Sequence, residues 1–237
     1  MAPMTPLQRL TWYRHRIQNR IEKPLRTVAT RWARWQLKRR GLLKLLANRP
    51  STAYPPDPVD LWFLYRQVRS RRPRCVLEFG AGCSTVILAQ ALYENGAGGK
   101  LYTVDAAPQW ADITARCLPP HLQSVASVTA STMISVQVGE TAQRVLCHEH
   151  VPTVDPDFVY LDGPDFQDFQ NLFDVPAAAD LISLEPKFGK EIYVVIDGRV
   201  KNAEFLKQHL KGAYRQRRNW PFEYWRTHIL ERERTVH

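Results

Sequence analysis

Four short apolar runs, CVLEF, KLYTVD, DFVYLDG and EIYVVIDG, are separated by stretches with helical spacing, among them STVILAQALYEN, WADITARCL and KNAEFLKQHL. The runs are rich in β-branched and aromatic residues and apolar on both sides, so each reads as a strand covered on both faces. Strand and helix in alternation are the pattern of a mostly parallel sheet between two helical layers. Two stretches break the alternation. From Ser124 to Val151 the pattern is a strand followed by a hairpin turning near Gly139 and Glu140, and AYRQRRNW and FEYWRTHILER, on either side of Pro221, read as a closing antiparallel pair. At 237 residues with 44% apolar side chains, the chain has room for one large α/β domain and an appendage.

The appendage is expected at the N-terminus. Residues 1–50 hold 13 of the 33 Lys and Arg and one acid, Glu22, whereas the remainder carries 20 bases against 22 acids. A basic arm on a nearly neutral body argues against a nucleic-acid-binding domain. Within the arm, Leu7, Leu10, Ile17, Ile21, Leu25, Val28, Trp32 and Trp35 recur at helical steps between Arg and Lys, interrupted near Pro24, and Leu42, Leu43, Leu45 and Leu46 follow Lys38, Arg39 and Arg40. This basic amphipathic pattern suits an anionic membrane surface, and equally a helix packed on the body or on a protein partner. The division expected is a helical arm over 1–47, a Pro-rich linker over 48–58 and the main domain over 59–237, with Asp57 or Asp60 capping the first helix beyond the linker. No run reaches the roughly 18–20 apolar residues of a membrane span, and no signal peptide is visible, so the expectation is a cytoplasmic protein, peripheral at a membrane if the arm docks there. Cys75, Cys83, Cys117 and Cys147 form no CxxC pair and read as free thiols.

The segment CVLEFGAGCSTVILAQAL concentrates the chemistry: Glu78, Gly80, Gly82, Ser84 and Thr85 fall where the first strand passes into its helix. In an open parallel sheet that corner is where ligands meet helix N-termini. A dinucleotide fingerprint would place a third glycine at Thr85, and a carboxylate two residues before the first glycine sits poorly beside a pyrophosphate. It suits a ligand bearing an ammonium group. With EFGAGCST and the acid Asp105 ending the second strand, residues 57–232 resemble the class I S-adenosylmethionine-dependent methyltransferases. The resemblance implies a Rossmann-like fold: a mostly parallel seven-stranded sheet with an antiparallel C-terminal hairpin and helices on both faces. It also implies S-adenosylmethionine as cofactor, with Glu78 toward the methionine end, Gly80 and Gly82 allowing close backbone approach and Ser84 donating a hydrogen bond. Asp105 would hold the ribose, Ala106 and Ala107 would lie near the adenine, and Ser131 is the best match for the residue touching the ring.

Methyl transfer from a sulfonium is an in-line displacement, so the enzyme must align an acceptor and manage its proton. The strand ends LDGPD and IDGR place Asp162 and Asp197 across one opening, as a general base or as part of a divalent-metal site. The metal-dependent O-methyltransferases resemble this, but Gly198 stands where they supply an Asn, which leaves a thin oxygen site. Asp162 also suits capping of the turn through Gly163 and Pro164. Phe166, Phe169 and Phe173 fit an acceptor wall or a core helix, and Arg199 fits an anion or a surface charge. His148 and His150 fit a metal site poorly and a solvated hairpin face better. The expected activity is O-methylation of a carbohydrate-like, lipid-linked or small-molecule acceptor. A nicotinamide-dependent oxidoreductase and a non-catalytic scaffold that keeps the cofactor fold are the alternatives.

Overall fold

The computed structural model describes residues 24–50, 55–140, 142–164, 175, 177–189, 191–217 and 227–232. The first strands and helices alternate as β1 (Cys75–Phe79), α4 (Cys83–Asn95), β2 (Lys100–Asp105), α5 (Pro108–Cys117) and β3 (Ala126–Ala130). Then come β4 (Met133–Val138), β5 (Gln143–His148), β6 (Phe158–Leu161), α6 (Ala179–Leu184), β7 (Tyr193–Ile196), α7 (Val200–His209), β8 (Tyr214–Arg217) and β9 (His228–Arg232). Before them lie α1 over residues 24–39, α2 (Leu42–Leu45) and α3 (Pro58–Arg71). Seven strands form one sheet in the order β3-β2-β1-β6-β7-β9-β8. β9 runs antiparallel to β7 and β8, and the other pairs are parallel. The order turns back between β1 and β6, so the crevice for a ligand opens beyond the C-terminal ends of those two strands.

The crossover from β3 to β6 departs from the alternation. In place of a covering helix, β4 and β5 form a two-stranded sheet of their own, paired from Met133 opposite His148 to Val138 opposite Gln143. Val145 and Leu146 are buried, and Val145 joins the core on the β4–β5 side of the sheet.

Alternate strand residues feed two cores. Val76, Leu101, Phe158, Tyr160, Tyr193 and Val195 pack with α1 to α4, whereas Leu77, Phe79, Val159, Leu161, Val194 and Ile196 pack with the hairpin, α6 and α7. Asp57 is the N-cap of α3: its Oδ1 accepts from the Val59 N–H at 2.9 Å, and Pro58 opens the helix where no donor is required. Asp60, the other candidate cap, is used differently. The arm is part of this first core. Ala29, Ala33, Leu37 and Leu42 are buried against it, and the Trp32 ring meets Trp62 of α3 edge to face at 5.8 Å. Leu7, Leu10, Ile17 and Ile21 lie outside the described residues.

Candidate active site

The corner after β1 is built by backbone packing. Gly80 has φ +102°, and a Cβ there would lie 2.7 Å from the Gly163 nitrogen. A Cβ on Gly163 would in turn lie 2.9 Å from Gly80, so the ends of β1 and β6 cross backbone to backbone, and only glycine fits at either place. The Asp162 and Gly163 N–H groups both donate to the Phe79 carbonyl, at 2.8 and 2.6 Å. Gly82 is different. It is extended, and a Cβ there would meet nothing within 4 Å, so its hydrogen leaves open space at the start of α4. At the position of the missing third glycine, the Thr85 hydroxyl accepts from the Gly82 N–H at 3.0 Å and caps the helix.

Asp105 closes the second side. Its two oxygens accept from Ala81 N at 2.6 Å and from Ala107 N at 2.8 Å, tying the loops after β1 and β2 together. A carboxylate oxygen can accept more than one hydrogen bond, so an acid in this place is chemically suited to ligand hydroxyls. Glu78 lies beneath this loop with no solvent exposure. Thr103 donates to its Oε2 at 2.7 Å, while Oε1 has no hydrogen-bond partner. Burial pushes the Glu78 carboxyl up to about 7, although the Ser84, Thr85 and Thr103 hydroxyls pull the other way. A buried, half-satisfied carboxylate beside an open glycine cradle fits a cationic ligand.

On the acceptor side, Asp162 and Asp197 line the same cleft, which has a volume of about 860 Å³. Burial and the neighbouring Asp197 carboxylate hold Asp162 well above the usual carboxylate range, against the Arg199 guanidinium. The Tyr160 hydroxyl donates to Asp162 Oδ2 at 3.2 Å, and Arg199 donates to the Asp162 main-chain carbonyl. Arg199 is thus a wall of the cleft, not a solvated charge at the start of α7.

A third carboxyl joins them from outside the sheet. Asp60, in the first turn of α3, lines the cleft, and its Oδ1 is shielded without a partner. Burial first, then Asp197, Asp57 and Asp162, push it up to about 9. The arm supplies further wall through Arg26, Leu45, Leu46 and Arg49, and α5 supplies Trp110. Nothing in the local pattern of these residues marked them, because their place depends on how α1 to α3 pack on the sheet. Among the described residues, no group of three or more His, Cys, Asp or Glu is arranged to hold a metal ion.

Two other expectations resolve differently. Ser131 is buried at the foot of the hairpin, where its hydroxyl accepts from His150 N at 2.8 Å, and it does not line the cleft. His148 is not on a solvated face. Its ring is buried and stacked on Phe79, and Asp180 accepts from its N–H at 2.8 Å and lies 3.1 Å from Nδ1. His150 is exposed, so the two histidines do not act together. Phe166, Phe169 and Phe173 lie outside the described residues.

No protein-family model matches the sequence, and no curated protein matches it. Solved structures do. Cofactor-bound Rv0187 from MTB superposes with TM-score 0.51 at 16% identity over 82% of this chain and 88% of that one. The O-methyltransferase from Bacillus cereus in complex with SAH gives TM-score 0.50 at 17% identity, over 81% of this chain and 89% of its own. A putative O-methyltransferase from Klebsiella pneumoniae gives TM-score 0.50 at 14% identity, over 87% of this chain and 98% of its own. With the strand order and its antiparallel edge, these likenesses establish that the chain has the Rossmann-like fold of the class I methyltransferases.

Proposed function

We propose that this protein is an S-adenosylmethionine-dependent methyltransferase that acts on a hydroxyl of a carbohydrate-like, lipid-linked or small-molecule acceptor. The observation that carries the reading is one cleft with the open Gly82 turn and Asp105 at one end and the Asp162–Asp197 pair at the other, Glu78 lying buried behind the turn and not itself in the lining. Glu78, Gly80, Gly82, Ser84 and Asp105 are the residues that would hold the cofactor. When bound, it supplies an electrophilic methyl group on a sulfonium sulfur. The chain's own part is alignment and proton management. Burial and the Asp197 carboxylate disfavour ionisation of Asp162, which suits the pair to exchanging a proton with an acceptor hydroxyl. The likeness to O-methyltransferases supports oxygen as the acceptor atom.

We propose in addition that the protein is cytoplasmic and, where its basic amphipathic arm docks, peripheral at a membrane. Among the described residues, no helix is long and apolar enough to cross one.

Calorimetry with S-adenosylmethionine and with NAD tests the cofactor. Binding of the first alone is expected, Asp105→Ala should weaken it at least about tenfold, and NAD binding alone would overturn the proposal. Asp162→Asn should retain cofactor affinity while abolishing methylation in a screen of cell-extract acceptors. Undiminished methylation would remove the carboxylate pair from the mechanism.

A further inference from the structure

The outward face of α1 inverts the usual order of a surface helix. Ala29, Ala33 and Leu37, four residues apart, face the core, whereas Leu25, Val28, Trp32 and Trp35 stay exposed over more than a third of their surface, Trp32 resting one edge on Trp62. Leu25 is 37% exposed, Val28 58%, Trp32 43% and Trp35 51%, and their spacing of three, four and three places them on one stripe. Single exposed apolar residues are ordinary, but a continuous stripe with two tryptophans marks a surface that something covers.

Charge identifies the occupant. Residues 24–39 contain five Arg and Lys and no Asp or Glu. Arg31, Arg34, Lys38 and Arg39 are all exposed around the stripe, and the Arg39 guanidinium sits 5.4 Å from the Trp35 ring centre. Tryptophan rings flanked by exposed basic side chains match the interface of an anionic bilayer, where rings sit at headgroup depth and each cation near the surface adds to the attraction. An apolar protein groove would take up the rings but leave the cations unmatched.

We infer that the Leu25–Val28–Trp32–Trp35 stripe of α1 docks the protein on an anionic lipid surface and holds the mouth of the cleft at that surface. This rests on the peripheral reading proposed above and names its face. The second half follows from continuity: α1 supplies Arg26, and the end of α2 with the segment after it supplies Leu45, Leu46 and Arg49 to the cleft wall. An acceptor carried on a lipid would enter along this wall, its apolar part beside Leu45 and Leu46.

The test is co-sedimentation of the full-length protein with phosphatidylcholine vesicles with and without about 30% phosphatidylglycerol. The expected result is salt-sensitive binding to the anionic vesicles alone. Val28→Gln with Trp35→Gln, both on the exposed stripe and outside the cleft, should lower partitioning at least about fivefold while leaving S-adenosylmethionine affinity unchanged. Failure of the wild type to bind, equal binding to neutral vesicles, or equal binding by the double variant would each overturn the inference. Loss of vesicle binding in the variant with no S-adenosylmethionine binding in either protein would uphold the docking face and sink the methyltransferase reading.

Discussion

Glu78 puts an ionisable group where charge is costly until a cation arrives. Its pKa of about 7 in the folded chain lies above its ordinary 4.5, so the empty protein loses stability as pH rises from 4.5 to 7. A cationic ligand selects the ionised form. S-adenosylmethionine affinity should therefore rise with pH up to about 7, and below that fall by as much as about tenfold per pH unit. Glu78→Gln should flatten this dependence and stabilise the empty protein. Calorimetry across the range checks it, and an unchanged pH profile in the variant would show that another group sets the affinity. Glu78 and Asp105 were legible because position at a strand end specifies them with no long-range information. Asp60 and Arg49 were not, since they reach the cleft through the packing of α3 and the arm. Ser131 was misplaced because the hairpin that follows β3 draws its hydroxyl to His150.

At the scale of elements, period-2 and period-3.6 patterns read through to the sheet, the flanking helices, the hairpin turn near Gly139 and the antiparallel edge. The arm shows where such reading stops. Hydrophobic periodicity leaves open which side of the arm packs on the body, and the fold turns Ala29, Ala33 and Leu37 to the core. His148 shows the same limit: its burial depends on Asp180, 32 residues away. The segments that follow β1 and β6 meet backbone to backbone, and Gly163, like Gly80, has no room for a Cβ. Gly163→Ala would put a Cβ 2.9 Å from the Gly80 Cα and nitrogen with no flexible side chain to yield. We expect a loss of about 1–3 kcal/mol, read as a fall in the denaturation midpoint, and cofactor affinity reduced in the surviving fold. Gly82→Ala, at an open position, should leave stability nearly unchanged and lower cofactor affinity alone. Equal stability of the Gly163 variant and wild type would show that the strand ends separate more easily than their packing implies.

For the whole molecule, charge is divided by location: bases collect on the arm, while the cleft holds buried acids. Asp60, Glu78 and Asp162 are all pushed upward by burial and by neighbouring carboxylates, so the folded chain holds protons that the unfolded chain releases at lower pH. For a carboxyl raised in the folded state, stability is greatest below the unfolded pKa and declines as pH rises toward the folded one. In Asp60 that decline runs from 3.8 to about 9. The empty protein should therefore melt at progressively lower temperature from mildly acidic to alkaline pH, after allowance for groups titrating elsewhere. Asp60→Asn removes a carboxyl that the fold holds protonated far above its ordinary range and whose Oδ1 has no partner. It should raise the melting temperature near pH 8 by about 2–4 °C for each kcal/mol recovered, with little effect near pH 4. A cationic ligand offsets the same repulsion, so the melting shift produced by saturating S-adenosylmethionine should be larger at pH 8 than at pH 5 in the wild type, and this difference should shrink in the variant. A ligand-induced shift independent of pH in both proteins would mean that the cleft's carboxyls do not sense the cofactor's charge.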